Sequence, residues 1–293
     1  MSSCANCGKG EEDSKSLKTC TACKMVKYCN TACQKAHRPQ HKKECRNRAA
    51  EIHEKLFKQP PKEEDCPICF LTLPSLETGR RYNACCGKAI CSGCICAGAM
   101  TGDDLLCPFC RTPAPKTGEE THERIEKRVK LGDAVAIYNL GCDYSSGECG
   151  FQQDNDKALE LWHRAAELGC APVYHNIGVS DENGSGVEMD EKKAKHYWEL
   201  GAIGGVVDAR HNLGSLEIRA GNMKRALKHY IIAVEGGDAD SLKTIKQLFM
   251  KGLATRDDYT KALRAYQAYI DDIRSDQRDE AAAFSEEYKY CEL

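Results

Sequence analysis

Long apolar runs are missing from this sequence. No stretch approaches the ~20 apolar residues a helix needs to cross a bilayer. The opening MSSCANCGKG has no hydrophobic run of the kind an export signal carries. Aromatic residues are scarce, at 7% against 29% charged; this disfavours a β-sandwich and suits helical or metal-stapled units. No Walker loop, dinucleotide-binding glycine fingerprint or HExxH motif occurs, and no convincing nucleophile–base pair stands out. The expected setting is intracellular, with no membrane contact. No compact basic run chooses between cytoplasm and nucleus.

What is abundant is cysteine. Of the 20 cysteines in 293 residues, sixteen lie before residue 111, fifteen of them once Cys96 is set aside. Such density means either a secreted disulfide scaffold or metal sites, and a reducing compartment selects zinc. Charge is uneven: residues 1–60 carry a net +7 and residues from 116 onward a net −8. A basic head could touch nucleic acid or an acidic partner. No aromatic residues interleave the basic ones to act as stacking platforms, so we read a solvated finger surface and not a nucleic-acid site.

Four ligand pairs open the chain: Cys4-x2-Cys7, Cys20-x2-Cys23, Cys29-x3-Cys33 and His41-x3-Cys45. Each spacing lets two side chains of one knuckle or helical turn converge on one ion, as tetrahedral Zn²⁺ requires, and eight ligands close two sites without leaving a position for water. With Tyr28-Cys29 and Cys33-Gln34-Lys35-x-His37-Arg38-x2-His41-Lys42, the stretch resembles a MYND finger over residues 4–45. The resemblance implies a cross-brace, with Cys4, Cys7, Cys29 and Cys33 on one ion and Cys20, Cys23, His41 and Cys45 on the other. It also implies a shallow groove for short proline-containing peptides. His37 is read as a surface residue. Some MYND fingers accompany a SET methyltransferase domain, and nothing after residue 115 looks like one.

Past a charged linker around Pro60-Pro61, a second cluster reads Cys66-Pro-Ile-Cys69, Cys85-Cys86, Cys91-x2-Cys94 and Cys107-Pro-Phe-Cys110. About 50 residues cannot supply an independent apolar core; structural Zn²⁺ contributes roughly 10–16 kcal/mol in small finger peptides. The cluster resembles a RING finger with one departure. Lys88 stands near the usual histidine, and an ammonium cannot ligate zinc. The pair Cys85 and Cys86 is therefore assigned to one site with Cys107 and Cys110, leaving Cys66, Cys69, Cys91 and Cys94 for the other; Cys96 is surplus. A RING ligase acts by orientation, positioning a charged ubiquitin-conjugating enzyme. The resemblance carries Ile68 and Pro108 over as contacts to that enzyme. Arg111 carries over as the cation bridging enzyme and ubiquitin, a task suited to a guanidinium fork. The aromatic often found between the sixth and seventh ligands is absent, with only Leu105 and Leu106 nearby.

Beyond the linker 112–118 a repeat appears. Gly132, Gly169, Gly205 and Gly237 end helix-like runs, and nine residues after each stands Gly141, Gly178, Gly214 and then Lys246. The period means paired helices stacked as a solenoid. Asn139-Leu140-Gly141 and Ala165-Ala166-x2-Gly169 resemble Sel-one-like repeats, relatives of the tetratricopeptide repeat. Asn139, Asn176 and Asn212 share one register. They are candidates to hold a bound peptide backbone, although bonds within the scaffold are the plainer reading. Trp162 and Trp198 are read as core. Cys142, Cys149 and Cys170 with His175 match no knuckle spacing and are read as reduced thiols.

The sequence thus predicts a multidomain chain: two small cross-braced zinc-binding modules followed by an all-α solenoid of helix-hairpin repeats. The expected domains are a MYND-type finger (1–48), a helical charged linker (49–65), a RING-type finger (66–111), a Pro-containing linker (112–118), about four repeats (119–275) and a polar capping helix (276–293). The expected cofactor is zinc, four ions, and the expected partners are proteins. Two function classes remain: a RING-type ubiquitin ligase whose MYND finger and repeats bind substrate, or a non-enzymatic adaptor.

Overall fold

A computed structural model describes residues 3–10, 17–20, 23, 25–61, 63–103, 106–147 and 150–292, without the side chains of Thr19, Thr101 and Asp103. Contacts divide the chain into two compact units, Met1–Lys58 and Gln59–Leu293.

The first unit has little regular sheet. Strands β1 (Lys18–Thr19) and β2 (Lys27–Tyr28) pair antiparallel, and helix α1 (Thr31–Phe57) follows. Asn30 starts α1 by accepting from the Cys33 N–H at 2.8 Å, which satisfies one of the unpaired donors of a first helical turn. The helix runs without a break from the knuckle region through most of the stretch expected to be a separate linker.

The second unit joins the second cysteine module to the repeats. Strands β3 (Arg80–Asn83) and β4 (Lys88–Cys91) form an antiparallel hairpin, and α2 (Ser92–Gly98) leaves directly from β4. Helix α3 (Gly118–Lys130) precedes four helix pairs. They are α4 (Ala134–Ser146) with α5 (Asn155–Glu167), α6 (Val173–Asn183) with α7 (Glu191–Ile203), α8 (Val207–Arg219) with α9 (Met223–Glu235), and α10 (Ala239–Met250) with α11 (Arg256–Ile273). A last helix, α12, spans Asp276–Phe284. No helix among the described residues is long and apolar enough to cross a membrane.

The repeated glycine inside the first helix of each pair is a seat for an aromatic ring from the second. A Cβ on Gly141 would lie 2.6 Å from Trp162, on Gly178 2.4 Å from Trp198, and on Gly214 2.6 Å from Tyr230. Trp162, Trp198 and Tyr230 are all buried. In the fourth pair the seat is lost to Lys246, which is exposed. The matching ring, Tyr266, turns to the C-terminal tail, donating to the Glu292 carbonyl at 2.5 Å. The glycines that close the pairs (Gly169, Gly205 and Gly237) have φ of 88°, 95° and 94°. After them the N–H of Cys170, Val206 and Asp238 returns to the carbonyls of Ala165, Gly201 and Ala233, the bond pattern of a left-handed helix cap.

Two features go beyond the order of domains read from the sequence. The RING-like module and the repeats are one packed body. Tyr82 donates to Asp133 at 2.8 Å, and Arg128 donates to the same carboxylate at 2.6 Å. At the far end the Tyr269 hydroxyl meets the N–H and hydroxyl of Ser75, both at 2.8 Å. The segment 276–293, expected as a polar capping helix, is an α-helix only from Asp276 to Phe284. It begins after Ser275, which accepts from the Arg278 N–H, with Asp276 already helical. It packs against α2 of the cysteine module, because its Arg278 and Ala281 are buried there.

The ring seat sets a test. Gly178→Ala is expected to cost about 1–3 kcal/mol by overpacking, read as a lower thermal midpoint. Lys246→Ala, at the same register of the fourth pair, should stay within about 0.5 kcal/mol of wild type. Equal midpoints for the two variants would remove the seat from the account.

Candidate metal centres

Three of the cysteine knuckles have one construction. The N–H of Gly8 returns to the Cys4 carbonyl, that of Phe70 to Cys66 and that of Arg111 to Cys107, each at 2.9 Å. The loop then closes from the first cysteine's N–H to the carbonyl of Lys9, Leu71 or Thr112. Such a turn aims two sulfurs inward and forces the residue after the second cysteine into the left-handed region. Gly8 adopts φ 74° freely, whereas Phe70 (φ 58°) and Arg111 (φ 61°) do so against the steric preference of a Cβ.

The turns, with β4, α1 and α2, gather four groups of ligand atoms, all within 4.8 Å of one another in each group. They are Cys4, Cys7, Cys29 and Cys33; Cys20, Cys23, His41 and Cys45; Cys66, Cys69, Cys91 and Cys94; and Cys85, Cys86, Cys107 and Cys110. Sulfur separations inside them include 3.4 Å (Cys85 to Cys110), 3.7 Å (Cys69 to Cys91) and 4.0 Å (Cys86 to Cys107). A ZnS4 tetrahedron with bonds of ~2.3 Å has edges of ~3.8 Å, so these atoms fit a zinc ion. A disulfide needs ~2.05 Å, and every described cysteine is a free thiol. His41 Nε2, the one nitrogen among the four groups' ligands, lies 3.2 Å from Cys23 Sγ.

The electrostatics also ask for a cation. Hydrogen bonds led by the Cys29 main-chain N–H pull Cys4 down to about 6. In the same cluster the Cys33 thiol pushes Cys29 up to about 12. Hydrogen bonds from Cys91 and Cys94 lower Cys66, while Cys94, bonded chiefly to Cys66, is raised. These two clusters thus hold one negative charge easily and resist the next. A bound Zn²⁺ supplies the positive charge that lets all the cysteine ligands of a site ionise. With every position taken by a side chain, such a centre is structural and offers no open place to a substrate.

Other expected residues fall in varied places. Ile68 is half-buried against the core formed by Cys66, Leu73 and Ile90. Pro108 is half-buried and Arg111 exposed; Leu106 is half-buried, while Leu105 lies outside the described residues. Cys96 is buried beneath α12 and outside every cluster. His37 is not a plain surface residue, because its Nδ1 bonds the buried Tyr28 hydroxyl at 3.0 Å and its ring stacks on His41. Of the three asparagines, Asn176 donates to Cys142 at 3.4 Å within the scaffold. Asn139 lines a cavity of about 1120 Å³ shared by the repeats and the cysteine module, with Tyr138, Ile95 and Pro108 among its walls. Asn212 is half-buried. Cys142 and Cys170 join no cluster, and Cys149 lies outside the described residues. Sequence reasoning missed Arg278, whose only signal is a cation in an acidic, alanine-rich run.

The MYND finger family model matches residues 4–45, and the Sel1 repeat model matches 134–170, 171–206 and 208–238. The chain carries a MYND finger and Sel1 repeats. The pair α10 and α11 lies beyond the last matched Sel1 repeat, in keeping with its lost glycine. Two curated plant proteins share a stretch with the chain. "E3 ubiquitin-protein ligase GW2" of Oryza sativa subsp. indica is 43% identical over 53 residues, 17% of this chain and 12% of that protein. "E3 ubiquitin-protein ligase DA2" of Arabidopsis thaliana is 44% identical over 52 residues, again 17% and 12%. The chain therefore spans 12% of the length of these relatives. Among solved structures, a Sel1 repeat protein from Oxalobacter formigenes is 22% identical with a TM-score of 0.47, covering 66% of this chain and 72% of that one.

The four clusters predict a selective loss of metal. Cys86→Ala should bind one zinc equivalent fewer than wild type by elemental analysis, whereas Cys96→Ala should bind the full complement. The reverse pattern would move Cys96 into the site. Phe70→Gly should raise stability by up to about 1 kcal/mol by relieving the left-handed strain; a clear loss of stability would mean that the exposed ring is held by packing.

Proposed function

We propose that this chain is a zinc-finger protein-interaction protein whose second module works as a RING-type ubiquitin ligase, with the MYND finger and the Sel1 repeats selecting the substrate. One observation carries the reading. At the turn after Cys110 the chain holds an exposed arginine in a left-handed conformation where glycine would fit without strain. Strain of this kind persists where the side chain has a task, and a guanidinium after the last ligand suits a bridge between the conjugating enzyme and ubiquitin. The likeness to two plant proteins named as E3 ubiquitin-protein ligases supports it. In this reading Ile68 and Pro108 dock the conjugating enzyme, which carries the thioester, and the module contributes orientation without a covalent step. The MYND groove would take proline-containing peptides.

A second reading, a non-enzymatic adaptor, draws on the position of Pro108. That residue lines the cavity shared with the repeats, so its surface serves the union of module and solenoid as well as any enzyme docking there.

The deciding experiment is autoubiquitination of purified, zinc-loaded protein with a broad panel of conjugating enzymes. Wild type should build chains or modify itself. Ile68→Ala should lower the rate at least tenfold, as expected for ~1.4 kcal/mol of lost docking. Arg111→Gly should lose activity while remaining at least as stable as wild type, since it removes the strain together with the side chain. Inactive wild type across the panel rejects the ligase reading in favour of the adaptor, whereas full activity in Arg111→Gly removes Arg111 from the role of bridge.

A further inference from the structure

Among the described residues Arg278 is a buried cation with no carboxylate paired to it. It is 0% exposed, and its Nη1 donates to the carbonyls of Thr72 at 2.9 Å and Ile273 at 2.6 Å. Its Nη2 reaches the Leu71 carbonyl at 3.4 Å and the Cys69 sulfur at 3.9 Å. Nε has no hydrogen-bond partner among the described residues. A guanidinium removed from water in this way is costly unless a negative charge compensates it. The contrast with Arg128, beside the other cluster of the module, is direct: Arg128 has Asp133 at 2.6 Å. Arg278 has carbonyl dipoles and one metal-ligand sulfur.

The missing charge is on the cluster. Four thiolates around Zn²⁺ leave a net charge of minus two, and the group Cys66, Cys69, Cys91 and Cys94 lies against the first turn of α12. Gln277 Oε1 accepts from the Cys94 thiol at 3.7 Å, and this contact adds no positive charge to the cluster. Gly93, between the ligands Cys91 and Cys94, has no Cβ, which lets α12 come close; a Cβ there would sit 3.0 Å from Arg278 Cγ and 3.1 Å from its N. The first turn of a helix and a guanidinium therefore converge on one cluster, as groups around a metal's ligands do in tuning the site.

We propose that Arg278 is the counter-cation of this zinc–thiolate cluster, so that the C-terminal helix is held on the second module by the charge of the bound metal. Because Arg278 also pins the carbonyls of Leu71 and Thr72, it fixes the far end of the turn that carries Ile68 and Phe70. The coupling runs both ways. Loss of zinc to a chelator, with protons from water returning to the thiolates, leaves Arg278 buried beside a neutral cluster, and α12 detaches. Loss of the guanidinium leaves the cluster's charge uncompensated, and the ion leaves more easily. The proposal does not depend on the ligase reading.

The test uses the full chain and two readouts, zinc transfer to a colorimetric chelator and hydrogen exchange of the α12 amides. In Arg278→Met, which keeps an apolar stem of similar reach, one ion should leave about 10- to 100-fold faster. The remaining three should keep wild-type rates, and α12 should lose protection. Arg278→Lys should recover much of both effects, because charge and not the fork alone is required. In wild type, chelation should release α12 together with one ion, and added zinc should restore it. Wild-type zinc release in Arg278→Met, or an α12 that stays protected after the ions have gone, overturns the proposal. If Arg278→Met does not fold, the wild-type chelation series decides alone.

Discussion

Convergence of four ligand atoms on one dication is the constraint on which the front of this protein depends. In the first unit the buried core consists of Cys4, Cys20, Cys23 and Tyr28; in the second module it is Cys66, Leu73, Ile90, Cys91, Cys94 and Cys107. These are mostly the ligands themselves. Strands of two to four residues and so small an apolar set cannot offset the entropy of ordering the chain. Metal coordination has to supply the difference, and it does so only while the thiols are ionised and unoxidised.

The solenoid rests on a different principle, apolar burial repeated at a fixed register. The ring-on-glycine seat recurs in three pairs and lapses in the fourth, where Tyr266 is drawn to the chain end. The second module then ties the two ends of this array, through Tyr82 and Asp133 at one side and Ser75 and Tyr269 at the other. Zinc-dependent and hydrophobic stability are therefore linked in one body. A change in metal occupancy in the module reaches the repeats through hydrogen bonds and not through a flexible tether.

Much of this was legible in the sequence because its signals are local or periodic. CxxC spacings fix two ligands within one turn, and the recurrence of Gly141, Gly178 and Gly214 marks stacked hairpins; these gave the fold class and the zinc requirement. What escaped has long sequence separation. Nothing adjacent to Arg278 announces a partner some 200 residues earlier, and its acidic, alanine-rich surroundings read as a solvated cap. The Ser75–Tyr269 and Tyr82–Asp133 bonds are single polar contacts without a repeat to reveal them. The left-handed residues Phe70 and Arg111 could have been anticipated from the knuckle, since Gly8 occupies the same place in the first one.

The central claim is that four closed thiolate-rich clusters, filled with zinc, hold the first 110 residues together. Native mass spectrometry of gently purified, reduced protein tests it most directly. The account predicts a mass increment of four zinc ions per chain, with no cystine formed. An increment of none or one, or a mass deficit of two hydrogens for each pair of cysteines joined, would contradict it.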